Sequence, residues 1–284
     1  MSTATASLSD AAQKKYLALR DILRPKLADG LIVAFSGGVD SAFLTWAAEQ
    51  ERREAGGNLL ALTTLSESFS RAEKLDAGRF VAEQGIDHVW YESKELQNPA
   101  YAINDSSRCF HCKTELFNIC GEAAAERNIK WIAYGYNASD RGDIRPGHKA
   151  AIEHSILAPL AEAELTKDDI RLLMRQNGLE MADKPASPCL SSRLMTGVFI
   201  TPQKLKDVED LEEILRDGGL RVFRVRLHEE GGTRSIRLEV ALDEMVLATQ
   251  LRENLVAEAT ARGYKWVTLD LAGYRTGGGN VAAK

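Results

Sequence analysis

The chain has 284 residues, of which 44% are hydrophobic and 27% charged, and its formal net charge is −5. That is enough chain for two domains of ordinary globular composition. The acidic balance and the lack of a Lys/Arg run argue against a nucleic-acid partner. No apolar stretch is long enough to cross a bilayer, and Met1–Asp10 lacks the basic and apolar regions of a secretory signal, so a cytoplasmic protein is expected.

Ala11–Leu27 has helical periodicity and predicts a leading helix. Leu31–Phe35 is a short unbroken apolar run that predicts a buried strand. It leads into Ser36-Gly37-Gly38-Val39-Asp40-Ser41 and then into an apolar helical pattern at Ala42, Phe43, Leu44, Trp46 and Ala47. Strand, Gly-rich turn and helix are the parts of a phosphate cradle, because glycines let the backbone approach an anion and the helix start offers N–H donors. The Walker pattern is absent. The S-G-G-x-D-S signature instead resembles the PP-loop ATP pyrophosphatases. That resemblance implies that Ser36, Gly37, Gly38, Asp40 and Ser41 bind ATP, that AMP passes to a substrate oxygen, and that pyrophosphate leaves. Asp40, the acid inside the loop, suits either Mg2+ or capping of the following helix.

Further strands are expected at Asn58–Leu65, Asp87–Glu92 and Lys130–Tyr136, with a short fifth at Ile156–Pro159. Helices are expected at 70–84, Thr114–Asn128 and Thr166–Asn177, the last capped by Thr166 and stopped by Gly178. The alternation predicts an α/β fold with a doubly wound parallel sheet, whose ligands sit at the carboxyl ends of the strands. Ser36, Ser66, Asn137 and Asp140 fall at such ends, and Ser66 is read as a further ATP contact.

The Pro-, Ser- and Cys-rich loop Pro185–Gly197 marks a boundary, giving a PP-loop-like domain over 1–198 and a small α+β domain over 199–284. The second is expected to hold helix Pro202–Gly218, strands Val222–His228 and Ser235–Val240 joined by the turn Glu229–Gly232, helix Asp243–Arg262 and strand Trp266–Leu271. The tail Thr276–Asn280 is expected to be mobile.

Four cysteines in a chain of this size point to metal binding or chemistry rather than a disulfide scaffold. Cys109-Phe-His-Cys112 can hold a metal, form a redox pair, or be a chance pair at a helix start. Cys120 lies in an apolar pattern and reads as a buried structural thiol. Arg224 and Arg226 alternate on a strand and share a face. They suit a phosphate or carboxylates, or else a solvated face with Glu239 opposite. Lys113 and Arg193 are further candidates for anion contacts.

Ser36–Ser41, Asn137-x-x-Asp140-x-x-Asp143-x-Arg145-Pro146-Gly147, Ser187-x-Cys189-x-Ser191-Ser192-Arg193, Arg224-Val-Arg226 and Thr268-Leu-Asp-Leu-x-Gly-Tyr-Arg275 occur in this order. Together they resemble the LarE family of ATP-dependent sulfur insertases, from about Leu31 to Arg275. The resemblance implies adenylation of a carboxylate on a pyridinium dicarboxylate mononucleotide and its conversion to a thiocarboxylate, for a nickel-pincer nucleotide cofactor. It implies ATP and Mg2+, with Cys189, Asp40 and Lys113 in catalytic roles and Arg193, Arg224, Arg226 and Asp140 toward the substrate. In sacrificial members the cysteine matching Cys189 surrenders its sulfur. Cys109 and Cys112 make this chain similar to the three-cysteine subgroup, in which Cys109, Cys112 and Cys189 would hold a [4Fe-4S] cluster that carries sulfide. Sulfide or another sulfur donor and a homo-oligomeric state are also expected. A PP-loop tRNA thiolation enzyme is the competing reading, against which the acidic balance speaks.

Overall fold

In a computed structural model, which describes residues 3–142, 146–185 and 187–275, strand β1 (Leu31–Ala34) is the fully buried centre of a parallel sheet. Helix α1 (Thr3–Ala28) precedes it, starting earlier than the periodicity predicts. After it come α2 (Val39–Ala55), β2 (Leu59–Leu65), α3 (Arg71–Gln84), β3 (His88–Glu92), α4 (Pro99–Ala102), α5 (Arg108–Glu126) and β4 (Trp131–Tyr134). Then follow α6 (Pro146–Glu153), α7 (Pro159–Glu162) and α8 (Lys167–Gln176). The motif residues Asp143 and Arg145, and the tail 276–280, lie outside the described residues.

The sheet order is β3-β2-β1-β4, so the chain moves outward through β2 and β3 and then returns to the other side of β1. The crevice for a ligand opens where the order reverses, between the carboxyl ends of β1 and β4. The expected fifth strand is reduced to one parallel bridge, Ala133 to Leu157. Pro159 stops it there, since proline has no N–H for a ladder and instead starts α7. Helix α8 has the predicted Thr166 cap, completed as a capping box by Asp169. Helices α1 and α2 are joined through Glu51, which is fully buried and accepts from Arg20 Nε at 2.7 Å and Arg24 Nε at 2.6 Å.

The remaining elements are α9 (Pro202–Asp217), β5 (Phe223–Glu230), β6 (Thr233–Val240), α10 (Met245–Gln250), α11 (Arg252–Ala261) and β7 (Trp266–Leu269). Strands β5 and β6 pair antiparallel, and β7 joins β6 parallel. The single helix expected over Asp243–Arg262 is two helices broken at Leu251.

The chain divides into two compact units, and the division is not contiguous. The first takes Met1–Leu65, Arg71–Ser93 and Cys109–Ser187; the second takes Ser66–Ser70, Lys94–Arg108 and Pro188–Lys284. The second unit therefore begins at Pro188 rather than 199 and recruits two earlier segments. Hydrogen bonds explain the recruitment. Asn104 Nδ2 donates to the carbonyls of Leu194, Met195 and Val198 at 3.3, 3.0 and 3.1 Å. Tyr101 Oη lies 2.6 Å from Ser191 Oγ, and the Leu190 amide donates to the Ser68 carbonyl at 2.8 Å. Among the described residues no helix is long and apolar enough to cross a membrane.

Candidate functional site

The first unit holds the phosphate-type cradle. Helix α2 starts at Gly38 without a side-chain cap, so its first N–H groups remain available to an anion. Ser41 braces the loop: its Oγ donates to the Gly38 carbonyl at 3.0 Å, accepts from the Ser36 amide at 3.2 Å, and lies 3.1 Å from Ser36 Oγ. Gly37 has φ +69, and a Cβ there would meet the Ala77 methyl at 3.0 Å. The positive φ is the left-handed region that favours glycine. Gly38 differs, since its φ is −84 and a Cβ would find only ordinary contact with Ser36 Oγ at 3.5 Å. Of the two loop glycines, Gly37 is the one the backbone requires.

Asp40 stands in the first turn of α2. Burial lifts its carboxyl to about 6, Lys167 and Asn137 oppose the shift, and the charge of Asp140 adds to it. Asp140 is 3% exposed, closes a capping box with Asn137 at the end of β4, and pairs with Lys167 Nζ at 3.1 Å. Asp140 is thus near enough to the phosphate loop for its charge to act on Asp40. Carboxylates are hard oxygen donors that suit Mg2+, and a cation there would relieve the repulsion between Asp40 and Asp140. Asp40 makes no side-chain cap at the start of α2, where Gly38 is the N-cap residue.

Two positions at this site had no signal in the sequence. Gly135 follows β4 and packs on the start of α2. Lys184 donates to the Gly37 carbonyl at 3.2 Å and pairs with Glu73 at 2.8 Å and Asp76 at 3.1 Å. Both approach the loop from far along the chain, so no local spacing marks them.

Cys109 and Cys112 lie in the first two turns of α5, the former exposed and the latter half-buried. Three residues apart on a helix, they share a face and can both reach one metal. Lys113 follows, its ammonium 5.9 Å from the Phe117 ring centroid, and it makes no ion pair among the described residues. Cys120 is fully buried and its thiol is pushed up to about 12 by burial, as befits an inert structural cysteine. Among the described residues no group of three or more His, Cys, Asp or Glu side chains is arranged to hold a metal ion. The Cys109–Cys112 pair therefore fits as two thiolate ligands, and the geometry goes no further.

The second unit holds Cys189, the arginines and Ser66. Ser66 was expected at ATP, but its hydroxyl donates to the buried Glu95 carboxylate at 2.7 Å, beside Ser68 at 2.9 Å. Cys189 is half-buried and precedes the 3-10 turn Leu190–Arg193. Arg193 is 3% exposed and reaches Glu212 through two bonds of 2.9 and 3.1 Å, the Cys189 carbonyl at 3.2 Å, and the Pro188 carbonyl. Through these bonds it braces the cysteine loop. Arg224 and Arg226 do share a face of β5, as the alternation predicts, but that face is buried rather than solvated. Arg226 pairs with Glu239 at 2.9 Å and donates to the Ser192 carbonyl at 2.8 Å. Arg224 stacks on Tyr274, its guanidinium 5.0 Å from the ring, and burial next to Arg193 lowers its proton affinity. Burial, reinforced by the charges of Cys189 and Glu95, raises the Tyr101 hydroxyl.

The chain is 36% identical to an uncharacterized protein of Synechocystis sp. over 252 residues, covering 88% of this chain and 91% of that one. It is 29% identical over 261 residues to pyridinium-3,5-bisthiocarboxylic acid mononucleotide synthase of Lactiplantibacillus plantarum, covering 92% of this chain and 90% of that enzyme. The likeness to this synthase runs over nearly the whole length of both chains. An uncharacterized protein of Methanocaldococcus jannaschii is 25% identical over 271 residues, 93% of this chain and 98% of its own. No protein-family profile matches the chain. The loop of Ser36–Ser41 falls in one unit and the loop of Cys189 in the other.

Proposed function

We propose that the chain is an ATP-dependent sulfur insertase acting on a carboxylate of a pyridinium dicarboxylate mononucleotide, for nickel-pincer nucleotide biosynthesis. The observation that carries this reading is the similarity over 92% of the chain to the bisthiocarboxylic acid mononucleotide synthase. The uncapped start of α2 and the Asp40–Asp140 pair support ATP and Mg2+ as its co-substrate and cation. A carboxylate is a poor electrophile. In the proposed first step a substrate carboxylate oxygen attacks the α-phosphorus of ATP, the bond to the β-phosphate oxygen breaks, and pyrophosphate leaves. The cradle's N–H groups and Mg2+ at Asp40 and Asp140 would stabilise the charge that develops. A sulfur nucleophile then attacks the acyl carbon, AMP departs, and a thiocarboxylate remains. Lys113, set behind Cys112, would steady anionic oxygens, and Arg224 the substrate's phosphate or second carboxylate.

Cys109 and Cys112, with Cys189, would hold a [4Fe-4S] cluster. Such a group, with one iron lacking a protein ligand, supplies an exchangeable position for sulfide. The second reading, in which Cys189 yields its own sulfur, is favoured by one observation: the four cysteines divide three and one between the units, with Cys189 alone in the second. A cytoplasmic homo-oligomer remains part of the proposal.

The test is anaerobic incubation with ATP, Mg2+, the pyridinium dicarboxylate mononucleotide and sulfide. Pyrophosphate release that depends on the mononucleotide, with thiocarboxylate detected by mass spectrometry, is the expected result. Asp40→Asn should remove it. Pyrophosphate released with tRNA instead would favour the thiolation enzyme, and none with either substrate would sink the reading.

A further inference from the structure

The loop Ser36–Ser41 contains no lysine or arginine, so it cannot by itself balance a polyphosphate. Backbone N–H groups and a helix dipole supply only partial charge. A full cation must come from elsewhere in the fold. Lys167 and Arg171 act on the loop through Asp40, whereas Lys184 reaches its backbone: its Nζ is 3.2 Å from the Gly37 carbonyl, and the side chain is 13% exposed. Its main chain is anchored, because Arg171 donates to the Lys184 carbonyl at 3.0 Å and also to the Ala182 carbonyl. Its head faces two acids of α3, Glu73 at 2.8 Å and Asp76 at 3.1 Å. Arg79 also pairs with Asp76, at 3.0 Å. A cavity of about 300 Å³ borders Lys184 on the α3 side, with Phe80, Leu179 and Met181 in its wall.

We propose that Lys184 is a phosphate-binding residue of the cradle, latched on Glu73 and Asp76 in the ligand-free chain and turning to the pyrophosphate moiety when a nucleoside triphosphate binds. The inference rests on the reading of Ser36–Ser41 as the ATP cradle. An ammonium exchanging two carboxylates for a polyphosphate gains the denser charge. The acids then serve as a counter-station that keeps the buried cation paired when the cradle is empty. Release of pyrophosphate returns the lysine to α3.

The test is calorimetric titration of the full chain with Mg2+–pyrophosphate and with a non-hydrolysable Mg2+–ATP analogue. Lys184→Met should weaken both by about 10- to 100-fold, the span of a charged hydrogen bond, and Lys184→Arg should recover part of the loss. Glu73→Gln combined with Asp76→Asn should tighten both, because the competing station is gone. Binding by Lys184→Met as tight as the wild type overturns the role of Lys184 and leaves the cradle standing. Failure of the wild type to bind either probe overturns the cradle and the inference together. If Lys184→Met does not fold, the double variant decides: tighter binding supports the latch, and unchanged or weaker binding overturns it.

Discussion

Gly135 lies against Ser41 so closely that a Cβ on it would stand 2.6 Å from the Ser41 nitrogen and 2.9 Å from its Cα. The end of β4 and the start of α2 are thus in backbone contact, and this contact sets the mouth of the crevice. Gly135→Ala should push α2 off β4. Overpacking of this kind costs about 1–3 kcal/mol, read as a lower melting temperature. Pyrophosphate release should fall further than the stability loss explains, because the displaced N–H groups are the cradle itself. Gly38→Ala, where a Cβ has room, should be much milder. Equal effects at both positions would remove the argument from backbone contact.

The arginines separate by what holds them. Arg193 and Arg226 are each paired with a buried carboxylate, Glu212 and Glu239. Removing one member of a buried pair leaves the other uncompensated and costs about 3–5 kcal/mol. Arg193→Ala and Arg226→Ala should therefore show as lost stability in chemical denaturation. Arg224→Ala, which removes a guanidinium stacked on Tyr274, should instead raise KM for the mononucleotide with kcat and ATP binding little changed. A stability loss at Arg224 as large as at Arg193, with KM unmoved, would make all three structural.

His88 gives a pH signature. Its Nε2 lies 2.9 Å from Thr63 Oγ1, whose proton goes to the Phe35 carbonyl at 2.6 Å, so Nε2 carries hydrogen and the added proton must go on Nδ1. Burial lowers its affinity for that proton to about 4, against 6.5 for the free side chain, with Asp87 opposing. Between those values the unfolded chain binds more protons than the folded one. Stability from this group is complete above about 6.5 and is lost as the pH falls toward 4, by about 2 kcal/mol once solvent screening is allowed for. His88→Gln should flatten that limb of the stability curve. A variant that keeps the wild-type slope between pH 6.5 and 4 would assign it to other groups.

The β1–loop–α2 unit was legible because each part has a local signature: an unbroken apolar run, glycines at the turn, and an apolar face beyond. The α8 cap and the β5–β6 hairpin were legible for the same reason. Lys184 and Gly135 were not, since each acts through one contact with a residue distant in sequence. The unit boundary was hidden likewise: Asn104, at φ +59, ties its segment to carbonyls some ninety residues on, and no composition shift records that. Arg193 reads from sequence as a surface cation, because its partner Glu212 lies on the other side of the loop in α9. Leu157 pairs once and then meets Pro159, so a strand-like apolar run yields one bridge.

Cys109 and Cys112 decide how sulfur is supplied. Near the start of α5 they stand three residues apart, the former exposed and the latter half-buried, with Lys113 adjacent. Both are more accessible to a metal than Cys120, which is fully buried and whose thiol is pushed up to about 12 by burial. If the pair and Cys189 ligate iron, anaerobically purified protein should carry about four irons and four sulfides per chain. Cys109→Ala and Cys112→Ala should each lose the iron and the visible absorbance, while Cys120→Ala should keep both. Intact mass after several turnovers with added sulfide should be unchanged. The sacrificial route makes the opposite demand: Cys189 becomes dehydroalanine, and the chain loses about 34 Da, the mass of H2S, in a single turnover. It also predicts that Cys109→Ala turns over once like the wild type, because neither member of the pair has a task. Mass loss confined to Cys189 in iron-free protein would overturn the cluster reading and leave adenylation at the cradle untouched.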